Sequence, residues 1–134
     1  MIYLLDTSAL LSHHRQEPGW EIVQELFENP DAKIIIASVT IAEFSRRMAE
    51  LGAKPGEIMA TVAEYRHMFA EVVAIDEDVA RLAFAIGFAT PKRLPLADAL
   101  IAAAAGSRKA TLVHRDKHMS AVPVLMVETL DLAK

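Results

Sequence analysis

The chain alternates short apolar runs, rich in β-branched residues, with longer stretches whose apolar residues recur at helical spacing. This alternation is typical of a parallel sheet that is covered by helices on both faces. The runs that we predict to be strands are Ile2–Leu5, Lys33–Ala37, Val72–Ile75, Thr111–Val113 and Val124–Val127. Several of them are continuously apolar, as strands buried on both faces should be. We therefore expect an α/β fold with a five-stranded sheet.

Three helical stripes lie between the predicted strands. Their members are Ile41, Phe44, Met48 and Leu51; Ile58, Val62, Tyr65 and Phe69; and Val79, Leu82, Ala83 and Ile86. Gly52 and the segment 54–56 separate the first two stripes, and the segment 90–95 precedes a helix-prone stretch, Leu96–Ala105. We find no repeat or interdomain linker. A chain of 134 residues can bury about two thirds of its unfolded surface, so we expect a single domain over 1–134.

Composition narrows the class of protein. The absence of cysteine excludes disulfides, thiolate zinc sites and cysteine nucleophiles, and is compatible with a reducing compartment, so we expect a cytoplasmic protein. Charges interrupt every apolar stretch before it reaches the roughly 20 residues of a membrane span, and the amino terminus lacks the basic region of a secretory signal. We therefore expect no membrane association.

The net charge of −4 argues against a broadly basic surface for nucleic acid. Any contact with nucleic acid must therefore be local. Short basic groups do occur, at 13–15, 46–47, 92–93, 108–109 and 114–115, although such groups are usually solvated helix ends and loops.

Four acids are expected to meet at one edge of the sheet. Asp6 ends the first strand, Glu43 lies about one turn into the helix after the second strand, and Asp116 follows the fourth strand. Asp98 lies in the first turn of the helix that precedes the fourth strand. In a parallel α/β sheet the carboxyl ends of strands and the starts of the covering helices share the edge where ligands bind. Topology alone therefore gathers these four acids.

The same reasoning admits other acids. Asp76, Glu77, Asp78 and Glu128 also follow strands and would reach this edge, whereas Glu28 and Glu50, near helix ends, should lie at the opposite edge. The order of the strands has to decide among them, and composition does not supply that order.

Each of the four acids also has an ordinary structural explanation. Asp6 can cap a helix, Asp98 can complement a helix dipole, and Asp116 can belong to a polar turn. The spacing from Thr40 to Glu43 matches a capping box, and Glu43 can instead pair with Arg47. The coincidence of four acids at one edge is what favours a functional explanation.

Converging carboxylates would repel one another unless a cation compensates. Oxygen ligands favour a hard ion such as Mg²⁺ or Mn²⁺ over zinc or copper. Such an ion can activate water and stabilise charge on a phosphate, so hydrolysis of a phosphodiester is the reaction class that this pattern indicates.

Four segments carry these acids in a definite order: Leu5–Leu10 (LDTSAL), Ser38–Glu43 (SVTIAE), Leu96–Ala102 (LADALIA) and Ala110–Asp116 (ATLVHRD). Together they resemble a PIN domain, specifically a VapC-type toxin, over essentially the whole chain. The resemblance implies a three-layer sandwich with a mainly parallel sheet of order 3-2-1-4-5. It also implies a Mg²⁺- or Mn²⁺-dependent endoribonuclease, a VapB-type antitoxin as inhibitor and a homodimer.

The resemblance also assigns roles to the acids. It implies that Asp6 and Asp98 are the principal metal ligands, that Asp116 is a further ligand, directly or through water, and that Glu43 orients water or assists proton transfer. Thr7 or Ser8 would hold Asp6 by a hydrogen bond. In the implied strand order the third strand is an edge strand, so the acids at 76–78 should lie away from the site.

The chain departs from the family pattern at two positions. His114 stands where many relatives carry a small hydroxyl or amide residue, and Met119 stands where an aromatic residue often follows the last acid. His114 can reach an RNA phosphate, alter the metal geometry or fill space. With His118 it has a spacing that places two metal ligands on one helical face, although this segment spans a strand end and a turn, where the spacing rule is weak.

Two other functions compete with an RNA-cleaving toxin. One is a non-catalytic PIN-like module that binds protein. For an antitoxin, whose amphipathic segment covers an apolar groove in relatives, the helix pair around Phe44, Met48, Ile58 and Tyr65 would offer a binding surface, unless these residues only pack in the core. The other is a phospho-acceptor domain with Asp6 as nucleophile, which generally needs a second acid close behind the first or a well-placed lysine; Asp6-Thr7-Ser8 has neither.

Overall fold

The computed structural model describes residues 1–134 and contains five strands and six α-helices. The strands are β1 (Ile2–Leu5), β2 (Lys33–Ala37), β3 (Glu71–Val73), β4 (Thr111–His114) and β5 (Thr129–Asp131). The helices are α1 (Thr7–Arg15), α2 (Trp20–Glu28), α3 (Ser38–Glu50), α4 (Pro55–Met68), α5 (Glu77–Ala89) and α6 (Leu96–Ser107).

The strands form one sheet of order β3-β2-β1-β4-β5, in which every neighbouring pair is parallel. Strand β1 lies at the centre, where Leu4 is in register with Ile35 of β2 and with Leu112 of β4. This arrangement confirms the expected fold class and strand order. The central position of β1 also explains why Leu4 and Leu5 are apolar, since both are fully buried between the covering helices.

Two hydrophobic cores cover the two faces of the sheet. On one face Leu4 and Ile35 pack with α5 and α6, and on the other face Leu5, Ile34 and Ile36 pack with helices α1 to α4. Alternate residues of a strand point to opposite faces, so neighbours in β1 and β2 serve different cores. None of the six helices combines the length and the apolar character that a bilayer span requires.

The predicted fifth strand was wrong. Residues 124–126 form a turn after Pro123, whose carbonyl accepts hydrogen bonds from the Met126 and Val127 amides, and β5 begins at Thr129 instead. Leu125 is 99% exposed, so this apolar run is not a buried strand. The third strand was also misplaced by a residue or two, since β3 spans Glu71–Val73.

Candidate metal centre

The four acids line one pocket of about 240 Å³ at the carboxyl edge of the sheet. Its lining residues are Asp6, Thr7, Ser8, Leu11, Glu43, Arg46, Arg47, Glu50, Asp98 and Asp116. Asp6 ends β1 and Asp116 follows β4, while Glu43 and Asp98 lie near the starts of α3 and α6. Strands β1 and β4 are direct neighbours, which brings these elements together.

Asp6 is only 2% exposed and caps α1. Its Oδ1 atom accepts the Ala9 amide at 2.8 Å and the Ser8 hydroxyl at 2.7 Å. The capping explanation is therefore correct for Asp6, but it uses one carboxylate oxygen and leaves Oδ2 for another partner. Ser8 is the residue that holds Asp6 in place.

Glu43 is held from another helix. The Thr7 hydroxyl donates to Glu43 Oε1 at 2.7 Å, across 36 residues of sequence. The predicted capping box from Thr40 to Glu43 is absent, because α3 has Ala37 as its N-cap and no side-chain cap. The alternative pairing with Arg47 is absent too, since Arg47 contacts Glu50 at 3.5 Å. Neither ordinary explanation of Glu43 applies.

Asp98, Asp116 and His118 form the group in which three possible metal ligands lie within 4.8 Å of one another. His118 Nδ1 lies 3.1 Å from Asp116 Oδ1 and 3.6 Å from Asp98 Oδ2. Asp116 also accepts the His118 amide at 2.9 Å, so the polar-turn explanation is correct in part. Asp98 makes no capping hydrogen bond to α6. The contact between His118 and these acids was not anticipated from sequence.

Burial and repulsion between carboxylates raise the pKa values of Asp6 and Asp98. Burial raises the pKa of Asp6 from 3.8 to about 7 against the two hydrogen bonds that lower it, and the charges of Asp116 and Asp98 raise it further. The pKa of Asp98 rises to about 6, first through burial and then through repulsion by Asp116 and Glu43, while His118 lowers it. The pocket therefore holds carboxylates whose charge is poorly compensated by the protein.

His114 is fully buried, which rules out its contact with an RNA phosphate. Its Nδ1 atom accepts the Asp116 amide at 3.2 Å, and its Nε2 atom has no partner. Burial lowers the pKa of His114, so the ring stays neutral with its proton on Nε2. His114 thus positions the backbone at Asp116, and the disfavoured alternative, in which His114 and His118 together ligate a metal, does not form.

The other acids that follow predicted strands lie outside the pocket; they are Asp76, Glu77, Asp78 and Glu128. Asp76 caps α5 by accepting the Val79 amide at 2.9 Å, and Glu77 pairs with Arg81. None of the four competing acids lines the pocket. Glu50, however, does line it, against our expectation that it would lie at the opposite edge. Helix α3 contacts α1 and α6 as well as β2, so its last turn stays beside the pocket.

The donor set fits a hard divalent cation. Carboxylate oxygens from Asp6, Asp98 and Asp116 are the ligands that Mg²⁺ and Mn²⁺ prefer. A cation among them would relieve the repulsion and offset the burial that raise two of their pKa values. His118 adds an imidazole nitrogen, which suits Mn²⁺ better than Mg²⁺.

Solved structures share this fold. VapBC-1 from nontypeable Haemophilus influenzae aligns with a TM-score of 0.78 and 19% identity, over 100% of both chains. VapBC2 from Rickettsia felis, bound to a DNA fragment from its promoter, has a TM-score of 0.76 and 20% identity, over 98% of this chain and 100% of that chain. For FitAcB from Neisseria gonorrhoeae the values are 0.69 and 24%, over 99% of both chains.

These identities establish a common fold and nothing finer. No curated protein sequence matches the chain significantly. The family comparison is more specific, because the PIN domain family matches residues 3–125, nearly the whole sequence. The chain therefore belongs to the PIN domain family.

Proposed function

We propose that this protein is a VapC-type toxin, a Mg²⁺- or Mn²⁺-dependent endoribonuclease that a VapB-type antitoxin inhibits. The observation that carries the proposal is the convergence of Asp6, Glu43, Asp98 and Asp116 on one pocket. Structural neighbours described as VapBC proteins support the toxin assignment. PIN domain membership supports the nuclease chemistry.

The position of each side chain in the pocket suggests its role in cleavage. Asp6, Asp98 and Asp116 would hold the ion, which when bound would supply activation of water and stabilisation of phosphate charge. Glu43 is fixed through Oε1 by Thr7, so its Oε2 atom is free to accept a proton from the attacking water. Ser8 keeps Asp6 in one orientation, which sets the geometry in advance of substrate binding.

An apolar groove of about 570 Å³ supports the antitoxin part of the proposal. It lies between α3 and α4, and its lining includes Ile41, Phe44, Ile58, Met59 and Val62. Phe44 and Ile58 are buried, so core packing accounts for them in part, but Met59 on the rim is 72% exposed. An amphipathic segment of an antitoxin would bury this surface. Glu43 lines the acidic pocket and Phe44 lines the groove, so the two sites lie on different sides of the same turn of α3.

A second exposed surface supports the homodimer. Phe84 and Phe88 on α5 stack with ring centroids 5.9 Å apart and are 74% and 82% exposed. Aromatic residues this exposed are enriched in interfaces between proteins. Two copies of the chain would bury this pair by packing α5 on α5 about a two-fold axis.

RNA cleavage by purified, antitoxin-free protein tests the proposal. The assay compares Mn²⁺ with chelator, and compares wild type with Asp6→Asn and Asp98→Asn. Loss of cleavage in both variants and in chelator, with the circular dichroism spectrum unchanged, is the expected result. Cleavage that survives both substitutions would reject this pocket as the active site.

The alternative function is a non-catalytic PIN-like module that binds protein through the same groove. The groove favours protein binding in either case, so it does not separate the two functions. Calorimetric titration with Mn²⁺ does. A module that has lost its chemistry would bind no ion in the acidic pocket, and its melting temperature would not change with Mn²⁺.

A further inference from the structure

A second pocket of about 200 Å³ adjoins the acidic one, and we name it the arginine cleft. Its lining residues are Ser8, Leu11, Ser12, Arg15, Glu17, Arg47, Leu51 and Arg115. Three arginines and one glutamate give it a positive formal charge, in a chain whose net charge is −4. Ser8, Leu11 and Arg47 line both pockets, so the two share a wall.

Ordinary ion pairing does not satisfy these arginines. The pairs in and beside the cleft are long: Arg15–Glu17 at 3.5 Å, Arg115–Glu17 at 3.9 Å and Arg47–Glu50 at 3.5 Å. Elsewhere in the chain arginine pairs are short, at 2.7 Å for Arg108–Glu71 and 2.9 Å for Arg81–Glu77, each with two hydrogen bonds to the carboxylate. The guanidinium groups of the cleft therefore keep donors free for another anion.

One side chain connects the cleft to the acidic pocket. The Ser8 hydroxyl donates to Asp6 Oδ1 at 2.7 Å and accepts the Arg115 amide at 2.9 Å. The backbone at Arg115 is thereby held at a set distance from the most buried acid. A ligand that spans both pockets must place one group at the acids and an anionic group at the arginines.

We propose that the arginine cleft binds a backbone phosphate of the RNA next to the phosphate that is cleaved. The proposal rests on the proposed nuclease function and adds the residues that position the substrate. Arginine forks match phosphate oxygens with two hydrogen bonds, which a single ammonium group does not do. The cleft also explains how an acidic protein can bind a polyanion, because its positive charge is concentrated beside the reacting groups.

The test measures binding of a short fluorescein-labelled single-stranded RNA at several KCl concentrations. It uses Asp98→Asn protein, which we expect to bind RNA without cleaving it, with and without Arg47→Gln plus Arg115→Gln. For single-stranded RNA each phosphate that is no longer neutralised reduces the slope of log affinity against log salt by about 0.7 in magnitude, so loss of the one phosphate held by the cleft should reduce it by about 0.7. In the cleaving protein the same two substitutions should raise KM about tenfold and leave kcat within about twofold.

Arg81→Gln is the matched control, because Arg81 is an exposed arginine paired with a glutamate away from both pockets. It should change neither the salt slope nor KM. An unchanged slope in the double variant would overturn the proposal, whatever the substitutions do to antitoxin binding. RNA binding through the cleft without any metal-dependent cleavage would uphold the cleft and reject the nuclease. Cleavage with an unchanged KM in the double variant would do the reverse.

Discussion

The Thr7 hydroxyl donates a hydrogen bond of 2.7 Å to Glu43 Oε1 and so joins the first turn of α1 to α3. Residues 6, 7 and 8 thus act on the pocket in different ways: Asp6 contributes a carboxylate, Ser8 fixes that carboxylate and Thr7 fixes a second one. The start of α1 organises the site as a whole.

Thr7→Val tests this role without changing the size of the side chain. Glu43 would lose its only hydrogen bond to a protein side chain, so we expect kcat for RNA cleavage to fall about tenfold, as for other partners that orient a reacting group. Loss of one hydrogen bond should lower the free energy of unfolding by only about 1 kcal/mol. Thr61→Val, on α4 outside both pockets, is the control. Equal kcat values for Thr7→Val and wild type would refute the role.

The free energy of unfolding should fall as pH rises from about 4 to about 7 in metal-free protein. The pKa of Asp6 is about 7 in the folded chain and 3.8 ordinarily, so over this window the folded state binds the extra proton and is favoured by low pH. Complete ionisation of Asp6 costs about 4 kcal/mol, at about 1.4 kcal/mol for each pKa unit. Above pH 7 this contribution levels off. Urea unfolding at several pH values measures the slope.

Asp6→Asn should remove most of that slope. The amide oxygen can still accept from Ala9 and Ser8, so the cap survives while the buried charge does not. At pH 8 the metal-free variant should be more stable than wild type, by at most about 4 kcal/mol. Asp76→Asn, at the N-cap of α5 outside the pocket, controls for the chemical change. A variant no more stable than wild type would mean that Asp6 is not strained by burial.

His118→Asn should shift the metal preference. Imidazole nitrogen adds more to the affinity for Mn²⁺ than for Mg²⁺, so the substitution should weaken Mn²⁺ binding about tenfold and Mg²⁺ binding less. Calorimetry at pH 7.5 measures both. His67→Asn, on an exposed part of α4, is the control. Identical losses for the two ions would exclude His118 as a ligand.

Met59→Glu should weaken antitoxin binding at least tenfold. The substitution places a charge on the rim of the apolar groove, where an amphipathic segment would have to bury it. Met59 is 72% exposed, so folding should be unaffected. Met68→Glu is the control, since Met68 is also exposed on α4 but does not line the groove. Equal inhibition of both variants by the antitoxin would place the antitoxin elsewhere.

The sequence predicted the strands correctly where both faces of a strand are covered by helices. Continuous apolar runs located β1 and β2 at their observed bounds, because central strands are covered on both faces. It failed at Val124–Val127, where a short apolar run after a proline forms an exposed turn, since periodicity alone does not separate such runs from strands.

Some features of the site were likewise predictable from the sequence and others were not. Convergence of the four acids followed from parallel topology, but that rule also admitted the acids at 76–78, and the strand order implied by the family resemblance was needed to exclude them. The contact of His118 with Asp98 and Asp116 depends on a turn whose path has no periodic signal, and the position of Glu50 at the pocket depends on the packing of α3 against α1 and α6. The hydrogen bond from Thr7 to Glu43 depends on packing between two helices, which the sequence of neither helix specifies.

Anomalous diffraction from crystals grown with Mn²⁺ tests the central claim most directly. The account predicts a manganese peak in the acidic pocket, at coordination distance from oxygens of Asp98 and Asp116 and close to Asp6. It also predicts that this peak disappears in Asp98→Asn crystals. Manganese-dependent RNA cleavage by a protein whose crystals bind manganese only outside this pocket would contradict the account.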